Sequence, residues 1–147
     1  NVAGVMSRGD ALTPPTQPDF DLVMHTNVLG AMQAIPQVAP LVEAAQGRLA
    51  FISSDMGRMT GVPSSYSWTY RVSKAALNMA VASARHSYPQ AILVALSPGW
   101  VQTDMGGSGA PLSVLSSVAA MRDTLARLTP ADSGRFFDID GQPMVGW

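Results

Sequence analysis

The sequence contains no cysteine, which excludes disulfides, thiolate metal sites and cysteine nucleophiles. Its two histidines, His25 and His86, lie far apart, too few for a zinc centre with three or four ligands, so no metal is expected. Charge is scarce as well. Only 13% of residues are Asp, Glu, Lys or Arg, and nine basic residues against ten acidic ones leave a net charge of −1. Without a basic cluster, neither nucleic acid nor an anionic membrane is an expected partner. No apolar run approaches the ~18 residues that would span a bilayer. The opening Asn1-Val2-Ala3-Gly4 has neither the basic start nor the apolar stretch of a secretion signal, and the expected compartment is the cytoplasm. An initiator Met is also missing, so the chain is expected to be processed or to belong to something longer.

What is present is apolar: 47% of the 147 residues are hydrophobic, enough to pack one core in a single domain. Residues 5–18 carry Gly9, Pro14, Pro15 and Pro18 and read as a loop. Leu22, Val23, Val28, Leu29, Met32 and Ile35 then recur at helical spacing. This helix is expected to run from about Asp19 to Ala45 with a kink near Ile35, because Pro36 and Pro40 each remove a backbone donor. Residues 48–53 and 91–96 are short apolar runs that read as buried strands. Between them, residues 54–67 read as a loop and 68–87 as a long helix rich in small residues. A glycine-rich loop follows Pro98-Gly99. A helix is expected over 111–128 with Val114, Leu115, Val118, Met121 and Leu125 on its apolar side, then a third strand over 136–139. Continuous apolar strands alternating with helices predict an α/β fold: three parallel strands with right-handed crossover helices, covered on both faces.

The sharpest local feature is Tyr70-Arg71-Val72-Ser73-Lys74. Residues four apart share a helix face, so Tyr70 and Lys74 point the same way, and Lys74 is the only lysine in the chain. An ammonium beside a phenol favours phenolate, and the expectation is a Tyr70 pKa lowered toward neutrality, suited to proton transfer. Ser53 and Ser54 sit at the carboxyl end of the first strand, where open α/β sheets bind ligands. A hydrolase reading meets two obstacles. Gly106-Gly107-Ser108-Gly109-Ala110 lacks the last glycine of a nucleophile elbow, and no histidine follows it.

With these motifs in order, the chain resembles the short-chain dehydrogenase/reductases, and among them the C-factor and sniffer-like carbonyl reductases. The motifs that carry the resemblance are Asn1-Val2-Ala3-Gly4, His25-Thr26-Asn27-Val28-Leu29-Gly30, Ile52-Ser53-Ser54, Tyr70 to Lys74, and Pro98 to Met105. Val2 replaces the asparagine usual in the family. Ser54 precedes Tyr70 by sixteen residues, a longer separation than most of the family shows and one found in the sniffer-like branch. The family's glycine-rich dinucleotide turn does not occur here. The resemblance therefore implies the C-terminal half of a Rossmann-type doubly wound sheet, a single partial domain over residues 1–147.

It also implies an NADP(H)- or NAD(H)-dependent enzyme, with NADPH favoured, that reduces a small-molecule carbonyl or oxidises an alcohol. Tyr70 would donate the proton, Lys74 would stabilise the tyrosinate and hold the nicotinamide ribose, Ser54 would orient the carbonyl, and Asn27 would hold a water leading to Lys74. Asn1, Ala3, Gly4, Tyr70, Pro98, Gly99, Val101 and Thr103 would also contact the cofactor. Met56, Trp100, Met105 and the 104–115 segment would cover the substrate. Family members commonly pair through the helices corresponding to 19–45 and 68–87, so a homodimer or homotetramer is expected. The alternative is a non-catalytic relative or binding partner without cofactor affinity. Residues 1–147 alone are expected to hold NAD(P)H poorly.

Overall fold

The computed structural model describes residues 1–147. Helix α1 (Gln17–Met24) is capped by the Thr16 side chain, whose oxygen accepts the Asp19 N–H. A π-helical turn (His25–Leu29) leads directly into α2 (Gly30–Ala44). The expected kink at Ile35 is not found. α2 runs unbroken through Pro36 and Pro40, and the irregularity lies one to three turns earlier, in the π turn. Both prolines are exposed and stand four apart, so the carbonyls they leave unpaired share the solvent face, where water meets them. The opposite face buries Ala31, Ile35 and Ala39.

Strand β1 (Arg48–Ile52) is followed by a 3₁₀ turn (Asp55–Gly57), helix α3 (Trp68–Ala84) and strand β2 (Ile92–Leu96). Helix α4 (Val114–Arg127), a second 3₁₀ turn (Pro130–Asp132) and strand β3 (Phe136–Phe137) complete the chain. The sheet is parallel with order β1-β2-β3. All five residues of β2 are buried because it is central and covered on both faces. On one face Phe51, Leu77, Val81 and Leu93 pack with α2 and α3; on the other, Val94, Leu96, Leu128 and Phe137 pack with Met121 and Leu125 of α4. β3 is shorter than the expected 136–139. Asp138 caps a turn through its side chain to the Gln142 N–H, Gly141 takes φ +74°, and the chain reverses. Beside β1, Asn1 pairs in strand fashion: its N donates to the Ala50 carbonyl at 2.7 Å and its carbonyl accepts from the Ile52 N–H at 3.0 Å.

α4 departs most from its expected face. It starts at Val114, where the Ser113 side chain caps it, and Leu115 is 84% exposed. Val114 and Val118 are also exposed, while Ser117 and Thr124 are buried beside Met121 and Leu125. Ser117 turns inward because its hydroxyl donates to the Pro98 carbonyl at 2.7 Å. No helix is long and apolar enough to cross a membrane.

Phe51→Ala removes a side chain that is 1% exposed and should cost about 3–5 kcal/mol. Leu115→Ala should cost under about 0.5 kcal/mol, as surface changes do. Urea unfolding followed by circular dichroism measures both, and similar costs would contradict the observed rotation of α4.

Candidate active site

β1 delivers two consecutive serines to the carboxyl edge of the sheet, and they turn opposite ways. Ser53 points inward, is 2% exposed, and donates to Asn78 Oδ1 of α3 at 2.6 Å. Ser54 faces outward and caps the 3₁₀ turn, its Oγ accepting the Met56 N–H at 3.1 Å. That bond uses a lone pair and leaves the Ser54 O–H to donate on the cavity side, where it reaches the Tyr70 phenol. The turn then brings Gly57 against α3. A Cβ on Gly57 would lie 2.9 Å from both the Lys74 backbone carbon and its Cβ.

Tyr70 and Lys74 stand on the same face of α3, both buried, with the ammonium 5.6 Å from the centre of the phenol ring. Lys74 Nζ donates to the Ile52 carbonyl at 2.8 Å. Burial lowers its pKa from 10.5 to about 8, since desolvation penalises the charged form. Tyr70 differs from expectation. Its pKa is raised, because burial of the phenolate outweighs the opposing effect of the Ser54 hydroxyl. The expected lowering by the neighbouring ammonium does not prevail, and the phenol stays protonated at neutral pH.

Asn27 lies at the π turn, 2% exposed. Its Nδ2 donates to the Val5 carbonyl at 2.8 Å and to Ser73 Oγ at 2.9 Å, while its Oδ1 accepts the Val5 N–H at 2.8 Å. Ser73 in turn donates to the Tyr70 carbonyl at 2.7 Å. Both Asn27 N–H groups are thus committed to holding the 1–5 segment against α3, and only the oxygen keeps acceptor capacity for a water. Gly4 runs between the two groups that such a water would join: a Cβ there would lie 3.4 Å from Lys74 Nζ and 3.6 Å from Asn27 Oδ1.

The loop after β2 is braced by its own bonds. Gly99 takes φ +73°, and a Cβ there would strike Leu112. Thr103 Oγ1 accepts the Gly106 N–H at 3.0 Å, and the Trp100 indole donates to the Gly106 carbonyl at 2.8 Å. A Cβ on Gly106 would collide with the Val101 carbonyl. Thr103, expected as a cofactor contact, therefore also closes this turn.

Two adjoining cavities meet at Tyr70. The larger, about 620 Å³, is bordered by Ser54, Met56, Tyr70, Trp100 and Met105, together with Pro98, Gly99, Val101 and Thr103. The smaller, about 320 Å³, is bordered by Gly4, Tyr70, Lys74, Pro98 and Thr103. Asn1, Ala3 and Asn27, expected at the site, line neither cavity. The start of the chain is extended, so Val2, Gly4, Met6 and Arg8 face the cavities while Asn1 and Ala3 face away. Residues 107–113 of the expected cover line neither cavity, whereas Val114, Ser117, Val118 and Met121 of α4 line the larger one. Sequence reasoning missed Gly57, Ser73, Asn78 and Ser117, which position the site through contacts that spacing does not encode, and Val2, Met6 and Arg8, which a period-two reading of residues 2–8 would have found.

The smaller cavity suits a nicotinamide ribose. Lys74 Nζ uses one of three donors there, and the bare backbone of Gly4 leaves room for a hydroxyl beside it. No group of His, Asp or Glu is placed to hold a metal ion.

The model of the short chain dehydrogenase family matches residues 1–111. Over 144 residues the chain is 40% identical to C-signal of Myxococcus xanthus, covering 96% of this chain and 87% of that protein. Its fold superposes on the carbonyl reductase Sniffer of D. melanogaster with a TM-score of 0.91 at 31% identity, over 99% of this chain. An NADPH-bound carbonyl reductase from chicken fatty liver superposes with a TM-score of 0.87 at 29% identity, also over 99% of this chain. The chain spans 64% of the length of each of these two structures.

Lys74 makes stability depend on pH. Its folded pKa of about 8 lies below the ordinary 10.5, so between these values the unfolded chain binds more protons and stability rises with pH. Below about 8 both states are protonated and the slope from this group vanishes. Above 10 the raised Tyr70 pKa acts with the opposite sign, so the clean window is pH 8–10. Melting temperatures should rise across that window relative to Lys74→Met, and parallel curves would refute the buried ammonium. Gly57→Ala pushes on the Lys74 backbone and should cost about 1–3 kcal/mol, as overpacking does; thermal unfolding checks it.

Proposed function

The chain belongs to the short-chain dehydrogenase family, and from that membership we propose that it carries the catalytic half of an NAD(P)(H)-dependent oxidoreductase that reduces a small-molecule carbonyl or oxidises an alcohol. The observation that carries the reading is the convergence of three groups: the Tyr70 phenol and the Ser54 hydroxyl border one cavity, and the Lys74 ammonium stands behind the phenol. The Ser54 O–H, not used by the Met56 bond, turns from the Tyr70 phenol to a carbonyl oxygen placed between them, which orients it and stabilises negative charge that develops there. Tyr70, held protonated by burial, gives that oxygen its proton. The tyrosinate left behind faces the Lys74 cation, which favours it electrostatically. With a pKa near 8, Lys74 can also return a proton to the phenolate. In the alcohol direction the same pair works as a base, better at higher pH.

A nicotinamide bound in the smaller cavity would supply or accept the hydride. Lys74 would hold its ribose, and Gly4, Pro98 and Thr103 would border it. NADPH is the favoured form, in line with the NADPH-bound carbonyl reductase neighbour. Asn27 acts at one remove, by clamping residues 1–5 to the helix that carries Tyr70 and Lys74. Self-association as a homodimer or homotetramer would cover the exposed Leu22, Met32 and Leu41 of α1 and α2 and Val72 and Met79 of α3.

Tyr70→Phe should lower the turnover of a neutral aromatic ketone by ~10²–10⁴-fold, the usual size of general acid catalysis, while leaving NADPH affinity within about threefold, since the ring that borders the smaller cavity is kept and Lys74 still holds the ribose. Loss of reduced-nicotinamide absorbance measures turnover and calorimetry measures affinity, on the chain alone and with a glycine-rich nucleotide-binding half supplied. Turnover above a tenth of wild type would remove Tyr70 from the proton-donor role.

A further inference from the structure

The larger cavity is apolar over much of its wall, with Met6, Met56, Met105 and Val118 among its lining, yet two arginines, Arg8 and Arg71, also line it. Arg8 comes from the extended segment at the start of the chain, on the side that also presents Val2 and Met6. Arg71 follows Tyr70 on α3, about 100° further round the helix. Both engage Tyr66. Arg71 Nε donates to its backbone carbonyl at 2.9 Å, and Arg8 Nη1 to its phenol oxygen at 3.4 Å. The next residue, Ser67, is fully buried at φ +54°, a left-handed conformation that costs a serine energy and persists only where its surroundings enforce it. The Arg8–Tyr66–Arg71 wall is therefore a built feature of the cavity.

Neither arginine is neutralised within the protein. The single ion pair of the chain joins Arg135 to Asp132 at 3.6 Å. Asp55 is the only acidic side chain on the larger cavity, so its charged lining is two cations against one anion. The terminal Nη groups of Arg71 make no hydrogen bond, and those of Arg8 make only the long one to Tyr66. A guanidinium with free paired donors suits a planar carboxylate, which accepts two parallel hydrogen bonds.

We propose that this cavity selects oxo acids: carbonyl compounds with an apolar middle, whose carbonyl sits at Tyr70 and Ser54 and whose remote carboxylate is bound by Arg8 and Arg71. The carbonyl end of this inference rests on the reductase reading; the carboxylate end does not.

Two unreactive probes of like shape separate them. Calorimetric titration of the chain with 4-phenylbutanoate and with 4-phenylbutanamide, at low salt, should give about tenfold tighter binding of the carboxylate, as charge-assisted hydrogen bonds provide. Arg8→Gln and Arg71→Gln should each reduce that preference to under about threefold, and Arg8→Lys should keep only part of it, since the charge remains but the paired donors are lost. Arg8 is exposed, so its variants report even where Arg71→Gln disturbs α3, which circular dichroism would reveal. Equal affinity for the two probes, no binding of either, or a preference that survives both glutamine variants would overturn the proposal. Turnover of 4-oxo-4-phenylbutanoate and its methyl ester, with NADPH and a glycine-rich nucleotide-binding half supplied, then distinguishes the two readings. Arginine-dependent binding without reduction of either compound leaves the carboxylate site standing and removes the reductase. Reduction of both without preference for the acid does the reverse.

Discussion

A buried ammonium with a single protein partner organises this structure. Lys74 is 3% exposed and donates only to the Ile52 carbonyl, at the last residue of β1. Taking a cation out of water is costly. The position is tolerable because several elements converge to fix it: the end of the strand, the helix that carries the lysine, and the segment containing Gly4. Gly57 reaches the same helix from the 3₁₀ turn, and only a residue without a side chain fits where its backbone meets that of Lys74. The electrostatics of the site follow from this burial. The ammonium is held near 8, low enough to exchange its proton, while the same burial keeps the Tyr70 phenol protonated.

Around that core the positioning groups are small and polar. Asn27, Ser73, Ser53, Asn78 and Ser117 are all buried, and each makes a hydrogen bond between elements or between a helix and a loop. Ser53–Asn78 fixes the end of β1 against α3 and spends the Ser53 hydroxyl, so that Ser54 is the serine left with a hydroxyl for the larger cavity. Ser117–Pro98 ties α4 to the loop after β2 and rotates that helix, so that Val114 and Val118 border the cavity instead of the core. The α4 face that looks apolar in the sequence thus serves the site, while Met121 and Leu125 serve the sheet.

Much of this was legible without coordinates. The two apolar runs and the intervening helix appear within a few residues of their expected limits, because a parallel strand buried on both faces leaves a continuous apolar signature. Tyr70 and Lys74 share a helix face for the same geometric reason that any residues four apart do. Asn27 was expected at the site and is found behind it, clamped to Val5 and Ser73. The kink expected from Pro36 and Pro40 did not form, because both prolines happen to face solvent. Periodicity tells which residues share a face, not which face finds a partner.

The sequence by itself determined the α/β class, the order of the elements, the Tyr70/Lys74 pair and the serine beside it, since each rests on local spacing and composition. Only the tertiary structure decided that the Ser53 hydroxyl is spent on Asn78, which side of α4 is buried, and that Arg8, distant in sequence, shares a wall with Arg71. It also decided the sign of the Tyr70 shift. A neighbouring charge can be read from sequence, but desolvation depends on how many other atoms exclude water from the phenol, and that number exists only once the chain has folded.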